Sequence, residues 1–216
     1  MTTFIFRVFD ISESVIMLTI DNKIQYHNRI QVFKRLPIKN MNDIFAKSRN
    51  GHLLKDTYDK EYNSLHIFSN GLYPANVLSN LARKEFVYDG VHCASIEGFL
   101  QSLKIKDPDK QTEICAMMGG SAKKISKKGS DWLNTQTLYW KGREYKRDSK
   151  EYEELVLKAF LECYKQNEVF KTALDSTKGM KLTHKHGSND KTKTILTADE
   201  FIKILTTIRD DKPEQN

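Results

Sequence analysis

Cysteine is scarce in this chain. Three residues, Cys93, Cys115 and Cys163, are spread over 216 positions. An odd number at wide spacing gives neither a disulfide framework nor a ligand pattern, so all three read as reduced thiols of a cytosolic protein. Long apolar runs are also missing: nothing approaches the ~20 residues of a membrane span. The amino-terminal MTTFIFRVFD lacks the basic start and long apolar stretch of a secretory signal. The expectation is a cytoplasmic protein with no membrane attachment. No phosphate-binding glycine loop of the P-loop or dinucleotide type occurs, nor any serine or cysteine nucleophile motif, repeat or low-complexity tract. His184 and His186, in LTHKHGSND, stand two apart and share a side only on a strand. No third ligand stands at a recognisable spacing, so neither a metal nor a cofactor is expected.

What is present describes a soluble globular chain: 29% charged and 39% hydrophobic residues, enough for one large domain or for a domain of about 150 residues with an appendage. The net charge of +7 is scattered, with one exception. SAKKISKKGS carries Lys123, Lys124, Lys127 and Lys128, a cluster that attracts phosphate-bearing partners or forms a solvated basic face.

The first 64 or so residues are set apart by TFIFRVF and VIMLTIDNKIQYHNRIQVF, rich in β-branched and aromatic residues and interrupted at Asp21-Asn22 as by a hairpin turn. Beyond a polar connector the chain becomes mixed. SLHIFS reads as a strand, and EFVYDGVHC as a hairpin turning at Asp89-Gly90. A helix starts near Ser95. Another starts with Asp107 as N-cap and Pro108 in its first turn, with Gly119-Gly120 as its stop. A third begins in a capping-box pattern, Asp148 to Glu151, and buries Tyr152, Leu155, Val156, Ala159, Phe160 and Cys163. The last has Thr197 and Glu200 as a capping box and a buried stripe of Phe201, Ile204, Leu205 and Ile208. DDKPEQN reads as a frayed tail. The fold class expected is α+β: a mainly helical domain over 65–210, a small β-rich segment over 1–64 and a tail at 211–216.

In CASIEGFLQSLKIKD, Glu97, Gln101 and Lys104 fall on one helical stripe bordering the apolar stripe of Ile96, Phe99, Leu100 and Leu103. A polar stripe beside a buried face lies where a cleft wall would sit, and it suits a wet helix face equally. Asn80, Trp132, Trp140 and Asp190 are further polar or aromatic residues in marked contexts.

The order of these segments resembles the NADAR (YbiA-like) family. The resemblance is carried by Ser79-Asn80, by a short strand pair ending near Gly90, by Ser95-Ile96-Glu97 and by Gln101-Ser102-Leu103-Lys104. DWLNTQTLYWKGREYKRDSKEYEELVLKAF and ALDSTKGMKLTHKHGSNDKTKTILTADEFIKILTTIR extend it to about residue 210. It implies an α+β domain that cleaves N-glycosidic bonds, acting on ADP-ribosylated guanine or on phosphoribosylated pyrimidine intermediates of riboflavin synthesis. Two departures stand out. Asp190 is followed by Lys191-Thr192 where YbiA-type members continue Trp-Gly, and Gly120 replaces a family arginine, which passes phosphate contacts to Lys123 or Lys124.

Under that resemblance Glu97, Lys104 and Asp190 are the catalytic candidates, with Asn80, Gln101, Trp132, Trp140 and His184 binding substrate. Glu97 would stabilise an oxocarbenium-like transition state or activate water. Lys104 would hold a phosphate or hydroxyl, or attack the anomeric carbon. Trp132 or Trp140 would stack on the base, and Asn80 and Gln101 would bind ribose hydroxyls or the base edge. The partner is a nucleotide or ADP-ribose-containing substrate, including ADP-ribosylated nucleic acid tracked by the 121–130 lysines. A non-catalytic ADP-ribose or nucleotide-binding module is the alternative.

Overall fold

A computed structural model describes residues 56–59, 61–126 and 131–211, together with two strands near the amino terminus. Two compact units divide at Leu54–Lys55. In the first, β1 (Phe6–Phe9) pairs antiparallel with β2 (Val15–Leu18). The turn expected at Asp21-Asn22 lies outside the described residues, as do Lys127 and Lys128. β3 (Tyr58–Asp59) and β4 (Ser64–His66) belong to the second unit: β4 runs parallel to β9 (Lys181–Thr183) in a sheet of order β3-β4-β9.

The second unit is α+β, with short strand pairs set around helices. After α1 (Ala75–Leu78) comes the hairpin of β5 (Phe86–Tyr88) and β6 (Val91–Cys93). Its two-residue loop has positive φ at both Asp89 (50°) and Gly90 (78°), the conformation that matches the twist of paired strands. Lys141-Gly142 repeats the device at φ 47° and 81° between β7 (Thr137–Trp140) and β8 (Arg143–Lys146).

Helix α2 (Ile96–Ser102) is central. Ser95 caps it by accepting from the Gly98 amide at 2.9 Å, and Ile96, Phe99, Leu100 and Leu103 are buried. α3 (Pro108–Cys115) is capped by Asp107 with Pro108 in its first turn. It ends at Cys115 without help from glycine. Gly119 and Gly120 instead open α4 (Gly119–Ser126), correcting the expected stop. The reason is a close approach: a Cβ on Gly119 would lie 2.9 Å from both Glu97 Cβ and Leu81 Cα.

The short α5 (Trp132–Thr135) ends with Gln136 in the left-handed region. The long α6 (Lys150–Gln166) is capped by Ser149, one residue beyond the expected Asp148, and buries the six residues its periodicity marked. α7 (Glu168–Asp175) follows, and α8 (Ala198–Asp210) carries the complete Thr197–Glu200 capping box. Phe201, Leu205 and Ile208 of α8 are buried, while Ile204 is only half-buried.

Buried Arg147 ties α8 to the loop before it. Nη1 and Nη2 donate to Glu200 at 3.1 and 2.6 Å, Nε donates to the Thr194 carbonyl at 2.7 Å, and the guanidinium lies over the Tyr152 ring. The Tyr152 hydroxyl donates to the Ile195 carbonyl at 2.7 Å. Among the described residues no helix is long and apolar enough to cross a membrane.

Candidate active site

The Ser79-Asn80 turn leaves α1 and crosses the start of α2, where the Asn80 carbonyl accepts from the Glu97 amide at 3.0 Å. This turn is held from beneath by a side chain that nothing in its local context marks out. Lys84 is fully buried, and its ammonium donates to the Val77 carbonyl at 3.0 Å and to the Ser79 carbonyl, 5.2 Å from the centre of the Phe170 ring. Burial pulls the Lys84 pKa down to about 8, against the opposing pull of Cys163 and Glu97. An ammonium on two carbonyls at the end of a helix is a cap, favourable to the helix dipole. The Asn80 side chain above it is unusual: Oδ1 is buried and has no hydrogen-bond partner among the described residues.

Glu97 stands half-buried on α2, with Gly119 packed against its Cβ. Gln101, one turn on, is buried, not solvated. Its Nε2 donates to Glu97 Oε1 at 2.8 Å, while its Oε1 accepts from the Ser126 hydroxyl of α4. One amide therefore fixes the carboxylate to a third element. The Glu97–Gln101 pair belongs to the interior wall, so the wet-face reading does not describe it.

Lys104 departs from the expected stripe. α2 ends at Ser102, and the Leu103 carbonyl is taken by the Tyr139 amide at 2.7 Å, which turns the chain away. Lys104 Nζ lies 5.5 Å from the centre of the Trp132 ring, a cation–π distance. Trp132 is itself buried. Trp140 is buried too, edge-on to Phe99 at 5.1 Å and beside Tyr88, with its Nε1 donating to Asp89 at 3.1 Å. Both indoles are almost wholly buried, Trp132 6% and Trp140 4% exposed. Trp132 backs a cation and Trp140 packs on the α2 core.

Asp190 lies in a separate turn, accepting from the Thr192 amide and hydroxyl and paired with Lys193 at 3.1 Å. Those hydrogen bonds, from Thr192 first, hold its carboxyl below the usual range. The turn is tied to α5, since Gln136 Nε2 donates to the Thr192 carbonyl at 3.1 Å. His184 belongs to another group: its Nδ1 donates to the Ile67 carbonyl at 2.7 Å, and its ring lies 6.3 Å from His66 and 6.1 Å from His186. Burial first, with His186 adding to it, lowers the His184 pKa. No group of three or more His, Cys, Asp or Glu among the described residues is arranged to hold a metal ion. The structure thus brings Asn80, Glu97 and Gln101 together, sets Lys104 on Trp132, and gives Trp140, His184 and Asp190 neighbours of their own. Ser126, Gly119 and Lys84 complete the wall. Their roles come from tertiary contacts that no spacing signals.

The fold resembles that of Escherichia coli YbiA, whose solution structure matches with a TM-score of 0.50 over 72% of this chain and 88% of its own, at 18% identity. A family model described as bacteriophage protein GP30.3 matches residues 72–210. A relative from Enterobacteria phage T4, described as an uncharacterized 17.1 kDa protein in the Gp30–rIII intergenic region, is 37% identical over 147 residues, which are 68% of this chain and 97% of the relative. The chain belongs to the GP30.3 family of bacteriophage proteins, within the NADAR (YbiA-like) family.

Proposed function

We propose that this protein is an N-glycosidase that hydrolyses the ribosyl C1′–N bond of a base or nucleotide conjugate. ADP-ribosylated guanine and phosphoribosylated pyrimidine intermediates of riboflavin synthesis are the two substrate classes to offer it. The observation that carries the reading is a free acceptor near an anchored carboxylate: Asn80 Oδ1 is buried without a partner among the described residues, on the turn whose carbonyl holds the Glu97 amide. A buried carbonyl oxygen left unpaired costs about 1–3 kcal/mol, which a ligand hydroxyl or N–H would recover.

In the reaction, the C1′–N bond breaks with its electron pair passing to the base nitrogen, and the water oxygen bonds C1′. Glu97 takes one water proton and returns it to the departing base. The carboxylate also faces the positive charge that builds on the ribose in the transition state. Gln101 keeps Glu97 in one orientation, which suits a fixed base better than a mobile acid. Lys104, held over Trp132, supplies a cation for a phosphate or ribose hydroxyl. Asp190 is the second acid of the proposal, on the turn that Gln136 ties to α5.

The test is chromatographic turnover. ADP-ribosylated guanosine, free and within an oligonucleotide, and phosphoribosylated aminopyrimidine are offered to the wild type and to Glu97→Gln. Release of free base by the wild type, slowed by at least about 100-fold in the variant, is expected. Undiminished activity of Glu97→Gln, or no release from any substrate by the wild type, overturns the proposal.

A further inference from the structure

Far along the chain from the Glu97 wall, a slot of about 640 Å³ lies between β9 and α8. One wall is the run 181–185, and the other is the helix stripe of Ala198, Asp199, Ile202, Lys203, Thr206 and Thr207. That stripe is distinct from the buried one of Phe201, Leu205 and Ile208, and its Ala198, Ile202, Thr206 and Thr207 are only half-buried. Among the described residues β9 is an edge strand, paired with β4 alone. The parallel ladder spends the backbone groups of alternate residues: Lys181 donates to the Asn63 carbonyl at 3.0 Å, and Thr183 accepts from the Ile67 amide at 2.8 Å. By the same alternation the N–H and C=O of Leu182 point to the open edge.

An unpaired strand edge running alongside a helix is the geometry in which an extended peptide adds as a further strand. The charge on the rim selects the kind of peptide. Lys181 and Lys185 are exposed at the two ends of the strand wall. Lys203 is exposed on the helix wall. None of the three forms an ion pair among the described residues, and Asp199 is the one acid lining the slot. Ile202 and Leu182 make the floor apolar. We infer that this slot is a docking site for an extended acidic peptide that adds to the edge of β9, with alternate apolar side chains on Leu182 and Ile202 and alternate carboxylates on Lys181, Lys185 and Lys203. β9 is three residues long, about 10 Å, room for three or four peptide residues to pair.

The experiment uses the full chain and a fluorescein-labelled octapeptide alternating valine and aspartate, followed by fluorescence anisotropy and by amide exchange. Saturable binding is expected, with slowed exchange at the Leu182 amide and affinity reduced at least about tenfold in the double variant Lys185→Glu, Lys203→Glu. Both lysines are exposed, so the variant retains its fold, and unchanged circular dichroism checks that. Four outcomes each overturn the inference: no saturable binding, equal affinity for a peptide alternating valine and lysine, affinity indifferent to the charge reversal, or preference for a single-stranded DNA octamer.

Discussion

Replacing Glu200 by glutamine removes one charge and leaves Arg147 buried beside a neutral amide. Burial alone would push the Glu200 carboxyl up, but hydrogen bonds from Arg147 and the Thr197 amide, with the Arg147 charge, outweigh it and hold the pKa at about 2 against an ordinary 4.5. The Glu200 side chain is 17% exposed and that of Arg147 1%, so solvent screening is weak. A displacement of roughly 2.5 pH units corresponds to about 3 kcal/mol of folding stability, at 1.36 kcal/mol per unit. The folded value is depressed, so the contribution is complete above pH 4.5 and lost as the pH falls from 4.5 towards 2. Glu200→Gln therefore loses about 3 kcal/mol at pH 7, near the low end of the cost of breaking a buried pair. Between pH 4.5 and 2 its stability falls less steeply than that of the wild type by the same amount. Urea unfolding followed by circular dichroism, at pH 7 and at steps down to pH 2.5, reads both. Other depressed carboxyls, Asp190 and Glu162 among them, contribute to both proteins and cancel in the difference. Equal stability at pH 7, or parallel acid limbs, would refute the reasoning.

Lys84 acts at alkaline pH, where deprotonation relieves the cost of burying its charged form. With a folded pKa near 8 against 10.5 unfolded, wild-type stability rises through pH 8 to 9.5. Lys84→Met lacks that rise, which urea midpoints across the interval check. Gly119→Ala places a methyl 2.9 Å from Glu97 Cβ and Leu81 Cα; a loss of about 1–3 kcal/mol is expected in thermal melts, with a larger proportional loss of turnover if Glu97 is displaced. Phe99→Ala empties a fully buried site between Tyr88 and Trp140 and costs about 3–5 kcal/mol in urea unfolding, while Trp140 fluorescence shifts to the red in the native state. Cys93, Cys115 and Cys163 are free and buried, so Ellman's reagent reacts with all of them only after denaturant is added.

Local signals carried the elements whose causes are local. Asp89-Gly90 reads as a hairpin because two residues with positive φ need that chemistry, and Thr197 with Glu200 reads as a helix start because the two side chains satisfy each other's backbone donors. Gly119-Gly120 misled because glycine serves two purposes. The sequence offers a helix stop, whereas the fold uses a missing Cβ where α4 meets Glu97. Periodicity carried Glu97 and Gln101 onto one stripe but ran past the helix end at Lys104, since the Tyr139 amide that captures the Leu103 carbonyl arrives from 36 residues downstream in number. Lys84 illustrates the remainder. In ARKEF it reads as one more surface charge, and only packing by Phe170 and two carbonyls of α1 makes it interior. Trp132 and Trp140 are likewise assigned by their neighbours, not by their context in the chain.

The parallel pairing of β4 with β9 has a consequence for how the chain is made. His66 and Thr183 are ladder partners 117 residues apart. Closing so long a loop yields no sheet contact until both ends are present, which slows folding relative to the neighbouring hairpins. On the ribosome, the β5–β6 and β7–β8 ribbons and the helices between them emerge before β9, while β4 waits for its partner until residues 181–183 have been synthesised. Nascent chains stopped before residue 181 therefore expose the β4 edge and lack Leu182 beneath it, so quality-control proteases should discriminate sharply between interrupted and finished copies of this protein.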